Sequence, residues 1–132
     1  WTNTETKQSM VDVVCGVVKN GNKYLITQKG DKKNYGKWEF PGGKVKADEH
    51  PFISIKRELI EELELDVIPL RVLETYRYDN YNLIFILCNP INVLDIRLKE
   101  HICFFWVEKK DFHNYTFIEG DLRFIELLFQ SN

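Results

Sequence analysis

The 132-residue chain carries little surplus charge: 18 Lys and Arg stand against 20 Asp and Glu, for a net charge of -2 at pH 7. No strong field favours a polyanion over the whole surface, so duplex nucleic acid is not an expected partner. Long apolar runs are also missing. Leu83 to Cys88 is among the longest, well short of the roughly 18 to 20 residues of a membrane span, and no basic n-region followed by an apolar h-region opens the chain. A soluble, cytoplasmic protein with no membrane partner is the expectation. Only three cysteines occur, Cys15, Cys88 and Cys103; odd in number and flanked by apolar residues, they spell neither a disulfide framework nor a zinc knuckle and read as buried small hydrophobes. His50, His101 and His113 have no metal-ligand spacing, and no repeat or low-complexity segment interrupts the chain.

What is there suits one packed core. The chain is 44% hydrophobic and 14% aromatic, and its length matches one domain. A polar tail over residues 1–9 and a single domain over 10–132 are expected. Val11 to Val18 and Tyr24 to Gln28 flank Asn20-Gly21-Asn22, a hairpin signal. A charged loop, Lys29 to Lys37, leads into Trp38-Glu39-Phe40-Pro41-Gly42-Gly43, where Pro and paired Gly end any strand. Pro51 suits a first helical position, and Phe52, Ile55, Leu59 and Leu63 form one apolar stripe on a helix running to about Glu64. Strands are expected over Val67–Tyr76, Leu83–Cys88, Val93–Leu98 and Ile102–Val107. A closing helix, Asp121–Gln130, would turn Leu122, Ile125 and Leu128 to one face. Strands before and between two helices predict an α/β/α layered domain.

Within the first helix Glu58, Glu61 and Glu62 fall at i, i+3 and i+4, inside about 100° of helix surface. Like charges so placed repel, by about 0.2–0.5 kcal/mol per pair in an isolated helix, and Lys56 and Arg57 lie on other parts of the wheel. A divalent cation would reverse the sign; a merely solvated acidic face is the bland alternative. Gly42 and Gly43 allow close backbone approach nearby, and Mg²⁺ takes about six oxygens from carboxylates, waters and phosphates.

Gly43, five residues, Glu49, seven residues and Arg57-Glu58-Leu59-Ile60-Glu61-Glu62-Leu63-Glu64-Leu65 resemble the Nudix box, G-x5-E-x7-R-E-U-x-E-E-x-G-U with U apolar. One fixed position departs: Glu64 stands where the pattern has Gly, so that the helix either ends on a non-Gly residue at positive φ or runs on. All the acids remain. Trp38-Glu39-Phe40-Pro41-Gly42 is similar to the MutT-like branch, and the likeness extends over about residues 11 to 130.

The resemblance implies a Nudix-type α/β/α sandwich with a mixed sheet. It implies metal-dependent hydrolysis, with Mg²⁺ or Mn²⁺, of a nucleoside triphosphate to monophosphate and pyrophosphate, with oxidised purine or cytidine nucleotides among the substrates. Glu58, Glu61 and Glu62 would bind metal, a Gly42 or Gly43 carbonyl would complete the shell, and Glu58 would orient or deprotonate water. Glu49 and Arg57 would pair to pin loop to helix. Glu100 would add one more carboxylate, an exposed loop Glu being the plain alternative. Asp121 falls where relatives hydrogen-bond the base edge, or is a helix N-cap. Phe40 would line the base pocket unless it is core, and Lys29 would meet phosphate or base unless merely solvated. Tyr81, sixteen residues past Leu65, matches dinucleoside polyphosphate hydrolases; that substrate class, a nucleotide sugar and a non-catalytic nucleotide-binding module are the alternatives. A monomer or homodimer is expected.

Overall fold

The computed structural model describes residues 10–130; the tail expected over residues 1–9 lies outside the described residues. Strands β1 (Val11–Asn20) and β2 (Lys23–Gln28) form the expected hairpin, turned at Gly21, whose φ of 65° is free of strain only for glycine. Short strands β3 (Trp38–Glu39) and β4 (Gly42–Lys44) precede helix α1 (Pro51–Leu63). Strands β5 (Val67–Tyr78), β6 (Tyr81–Pro90) and β7 (Cys103–Glu108) and helix α2 (Glu119–Gln130) complete the fold.

The seven strands make one mixed sheet in the order β3-β2-β1-β6-β5, with β4 also on β1 and β7 also on β2. Strands β1 and β6 run parallel, from Val11 beside Tyr81 to Val18 beside Cys88; the other pairs are antiparallel. Both faces of β1 and β6 are covered, which is why these strands read as continuous apolar runs rather than alternating ones. Val14, Val18, Ile84 and Ile86 meet the Ile55, Leu59 and Leu63 stripe of α1. Cys15, Val17, Leu83 and Phe85 pack with Phe40 and Phe124 on the α2 side. Full burial of each α1 aliphatic contributes about 1.5–3 kcal/mol. This is the predicted α/β/α sandwich.

Two expectations fail. Val93–Leu98 is not a strand: a 3₁₀ turn covers Val93–Asp95, and beyond it the amides of Arg97 and Lys99 donate to Leu63 O at 2.8 Å and Glu62 O at 3.0 Å. The segment caps the end of α1, its Arg97 and Lys99 amides donating to the last-turn carbonyls rather than to a ladder. On α2, Leu122 is exposed and the inward face is Gly120, Asp121 and Phe124, with Ile125 and Leu128 half-buried. Gly120 and Asp121 face inward because their polar groups find partners there. The Tyr76 hydroxyl donates to Gly120 O at 2.6 Å and accepts from the Phe124 N–H at 3.1 Å.

The Pro-Gly-Gly segment is locked where β1 passes. Gly16 N–H donates to Pro41 O at 2.7 Å, and Gly42 and Gly43 pair with Cys15 and Val14. Trp38 N–H donates to Thr116 O, and Ile118 N–H to Trp38 O, which brings the start of α2 against Phe40.

Candidate active site

A cleft of about 980 Å³ lies over β1 and β4, with Lys29, Glu39, Gly43, Glu62, Glu100 and Asp121 in its wall. Helix α1 presents Glu62 there, and both its ends are fixed. Pro51 starts it and the His50 Nδ1 accepts from Phe52 N–H at 3.0 Å, so this histidine is a cap. Glu64, at φ 53° and ψ 32°, ends it in left-handed backbone. The departure from Gly therefore leaves the helix end in place at a conformational cost.

Arg57 is the hub. Its Nε and Nη2 meet Glu49 Oε2 at 2.8 Å and Oε1 at 2.9 Å, and Nη1 meets Glu58 Oε2 at 3.0 Å and Glu61 Oε1 at 3.2 Å. The wheel position suggested that Arg57 stands apart from the acids; its long stem bridges them instead. Glu49 also accepts from the Ser54 hydroxyl at 2.6 Å and the Lys46 N–H at 3.0 Å. These donors hold the Glu49 carboxyl far below the usual range, and Glu49 in turn raises the Arg57 pKa. Because the pair is bidentate and partly buried, Arg57→Ala should loosen residues 44–49 and lower activity. A double-mutant cycle with Glu49→Ala should return a coupling of about 0.5–3 kcal/mol; strictly additive losses would show that the two residues act apart.

Glu62 differs from its neighbours on the helix. It is 8% exposed, its Oε1 is buried without a hydrogen-bond partner, and its carboxyl is pushed up to about 9. Burial is the main cause, followed by the charges of Glu39, Glu58 and Glu100 and a hydrogen bond shared with Glu58. The Glu58 carboxylate lies against Gly43, where a Cβ would overlap it. Glu61 points outward, 54% exposed, towards Arg57. Among the described residues no three acidic, His or Cys side chains converge as ready-made ligands; Glu58 and Glu61 both turn to Arg57. The donor set still fits a hard divalent cation, being all oxygen, crowded with like charge and left with an orphaned buried acceptor.

Of the other predicted residues, Gly42, Glu100, Lys29, Tyr81 and Asp121 border the same cleft. Lys29 sits 3.5 Å from Glu39 Oε1 and 3.6 Å from Asp31, so its charge is shared with carboxylates. Phe40 also borders the cleft, but its ring is 2% exposed and packs on Phe85, Phe117 and Phe124. It supports the wall rather than offering a stacking face. Asp121 is not an N-cap: 2% exposed, it accepts the Phe40 N–H at 2.9 Å through Oδ2. Burial pushes its carboxyl up to about 8, the Phe40 N–H opposing.

Glu39 and His101, the latter without metal-ligand spacing in the sequence, also meet at the site. His101 Nε2 is 2.7 Å from Glu39 Oε2, its side chain 5% exposed, and its Nδ1 is buried and unpartnered. Alternation of Trp38 and Phe40 into the core could have flagged Glu39 as facing the other way; nothing local links it to a histidine 62 residues on.

An α/β/α sandwich in which a paired-glycine strand lies along β1 and an acidic helix follows it is a Nudix fold, and the chain belongs to the Nudix family: the NUDIX domain profile matches residues 9–128. Curated relatives include an 8-oxo-dGTP diphosphatase of Buchnera aphidicola subsp. Schizaphis graminum, 44% identical over 69 residues, which are 51% of this chain and 52% of that protein. The CTP pyrophosphohydrolase of Escherichia coli K12 is 38% identical over 58 residues, 43% of each chain. The chain thus spans about half the length of these relatives. The solution structure of the E. coli ORF135 protein superposes with a TM-score of 0.80 at 20% identity, over 95% of this chain and 92% of that one. That last likeness is one of fold.

Proposed function

We propose that the protein hydrolyses a nucleoside triphosphate, an oxidised purine or cytidine nucleotide foremost, to monophosphate and pyrophosphate in a metal-dependent reaction. The observation that carries this reading is the joining, in one cleft, of the buried Glu62 carboxyl, whose Oε1 has no hydrogen-bond partner, with Glu39 and Glu100 and of the buried hydrogen-bonding group of Asp121. The relatives named as an 8-oxo-dGTP diphosphatase and a CTP pyrophosphohydrolase support the substrate class.

Glu58, Glu61, Glu62, Glu100 and a Gly42 or Gly43 carbonyl would hold Mg²⁺ or Mn²⁺. When bound, the cation supplies neutralisation of phosphoryl charge and a lowered pKa for water. Glu58, braced by Arg57, orients the attacking water or takes its proton. Arg57 and Glu49 hold residues 44–49 to α1, keeping Gly43 against Glu58. Lys29, Lys33, Lys37 and Lys44, all on the cleft wall, attract the triphosphate. Asp121 reads the base edge: protonated at neutral pH, it accepts the Phe40 N–H with one oxygen and offers an O–H with the other.

Incubation with Mg²⁺ and a panel of unmodified and oxidised nucleotides, ADP-ribose and dinucleoside polyphosphates, with products separated by chromatography, tests the reading. Triphosphates should yield monophosphates. Cleavage confined to ADP-ribose or dinucleoside polyphosphates, or binding without products, would overturn it.

Asp121→Ala should flatten the preference among triphosphates through KM, by about 1–3 kcal/mol of lost discrimination. It should also lower the melting temperature, since the Phe40 N–H loses its acceptor. Asp121→Asn keeps an acceptor for Phe40 and a donor for the base, so it should preserve the preference at pH 7. Above about pH 8 the wild-type donor is lost by ionisation and the Asn donor is not, so the two should diverge there. A uniform change across the panel, accompanied only by lower stability, would leave Asp121 as a structural residue.

A further inference from the structure

We infer that Glu64, at the position where the Nudix pattern has glycine, is a positioning residue that latches the segment bearing Glu100 and His101 to the end of α1; its catalytic consequence rests on the hydrolase reading of the site. Glu64 occupies left-handed backbone, φ 53°, which glycine takes without strain. A residue that strains the backbone where glycine is the family's choice calls for a contact that glycine could not make. Here that contact is visible: Glu64 Oε2 lies 2.6 Å from Lys99 Nζ, and Oε1 lies 3.9 Å from Arg97 Nε.

Both cations sit on the segment already tied to α1 through its backbone. The Arg97 and Lys99 amides donate to Leu63 O and Glu62 O. Asn92 closes the other end of the segment, its Nδ2 donating to Glu64 O at 3.2 Å and its Oδ1 accepting the Asp66 N–H at 2.8 Å. Lys99 is followed directly by Glu100 and His101. The first of these contributes to the field on Glu62, and the second meets Glu39. Any slackening at Lys99 is therefore passed to two groups of the acidic cleft. The ion pairs are exposed and weak one by one, so the latch trims the freedom of a segment its backbone bonds already place.

Three variants test this: Glu64→Gly, Lys99→Met and the charge exchange Glu64→Lys with Lys99→Glu. Amide hydrogen exchange reports the latch without reference to activity. Exchange at the Arg97 and Lys99 amides should quicken by about two- to fivefold in Glu64→Gly and Lys99→Met, the range that an exposed pair contributes. It should recover in the exchanged pair. In the Mg²⁺ assay kcat should fall by a similar factor with KM little changed. Glu64→Gly should melt at or above the wild-type temperature, because it relieves positive φ; a variant stabilised yet slower separates positioning from general damage. Unchanged exchange at both amides overturns the latch whatever the activity does. Quicker exchange with unchanged kcat overturns positioning. If the wild type hydrolyses no nucleotide at all, the functional reading fails and the latch stands or falls on exchange alone.

Discussion

Glu62→Gln is expected to lower kcat by roughly 10² or more, the scale of lost catalytic electrostatic groups, while the protein keeps its fold. Glutamine matches the shape of the carboxyl but withholds the charge that would face a cation. The buried Glu62 carboxyl also makes a pH prediction for the metal-free protein. Its folded pKa, about 9, stands above the ordinary 4.5, so between these values the folded chain holds a proton that the unfolded chain has released. By linkage, the site's contribution to stability falls as pH rises from about 4.5 to 9 and levels off beyond. Glu62→Gln should flatten that decline. Added Mg²⁺ should raise the wild-type melting temperature, since a ligand of the native state stabilises it, and should raise that of the variant far less. Near-normal kcat at saturating Mg²⁺ in a variant that melts normally would remove Glu62 from the metal site.

Gly42→Ala and Gly43→Ala should fail in opposite ways, although the two glycines are neighbours. A Cβ on Gly42 would overlap the Val14 carbonyl and crowd the Cys15 Cα. Those are backbone atoms of β1, which no rotamer can move, so the β1–β4 pairing must open. The expected cost is about 3 kcal/mol or more, at the upper end of overpacking penalties, and the melting temperature should drop by roughly 10 °C. The atoms nearest a Cβ on Gly43 are those of the Glu58 carboxylate, which it would overlap. That side chain can swing away, so the fold should survive with little change in melting temperature. The displaced Glu58 leaves its place between Gly43 and Arg57, and kcat should fall by about 10². Melting curves and kcat for the two variants decide the matter: a Gly43→Ala protein with normal turnover would show that the Glu58 position against Gly43 is not needed for the chemistry.

Much of this arrangement could be read from local signals. The β1–β2 hairpin follows from Asn-Gly-Asn between β-branched runs, and α1 from Pro51 and the Ile55, Leu59 and Leu63 stripe, because turn chemistry and helical period act over a few residues. The spacing from Gly43 to Leu65 likewise marks the box, since one helix and one loop carry it. The misreadings arise where a distant partner decides. Val93–Leu98 has the apolar pattern of a strand, yet the amides of Arg97 and the adjoining Lys99 satisfy the carbonyls that end α1. Leu122 fits the helical stripe of α2, yet Asp121 and Gly120 take the inward face because Phe40 and Tyr76 supply their hydrogen bonds.

The same division holds for the chemistry. Sequence by itself determined the family, the α/β/α layering and the identity of the acids on α1, because each rests on contiguous spacing. Only the tertiary structure decided that Glu62 is buried and short of a partner, that Arg57 gathers Glu49, Glu58 and Glu61, that Glu39 meets His101, and that Asp121 holds Phe40 rather than capping a helix. A pKa and an orphaned acceptor depend on burial and on charges that arrive from β3 and from the segment before β7. Those are sums over neighbours brought together by the sheet, and no stretch of chain encodes them locally.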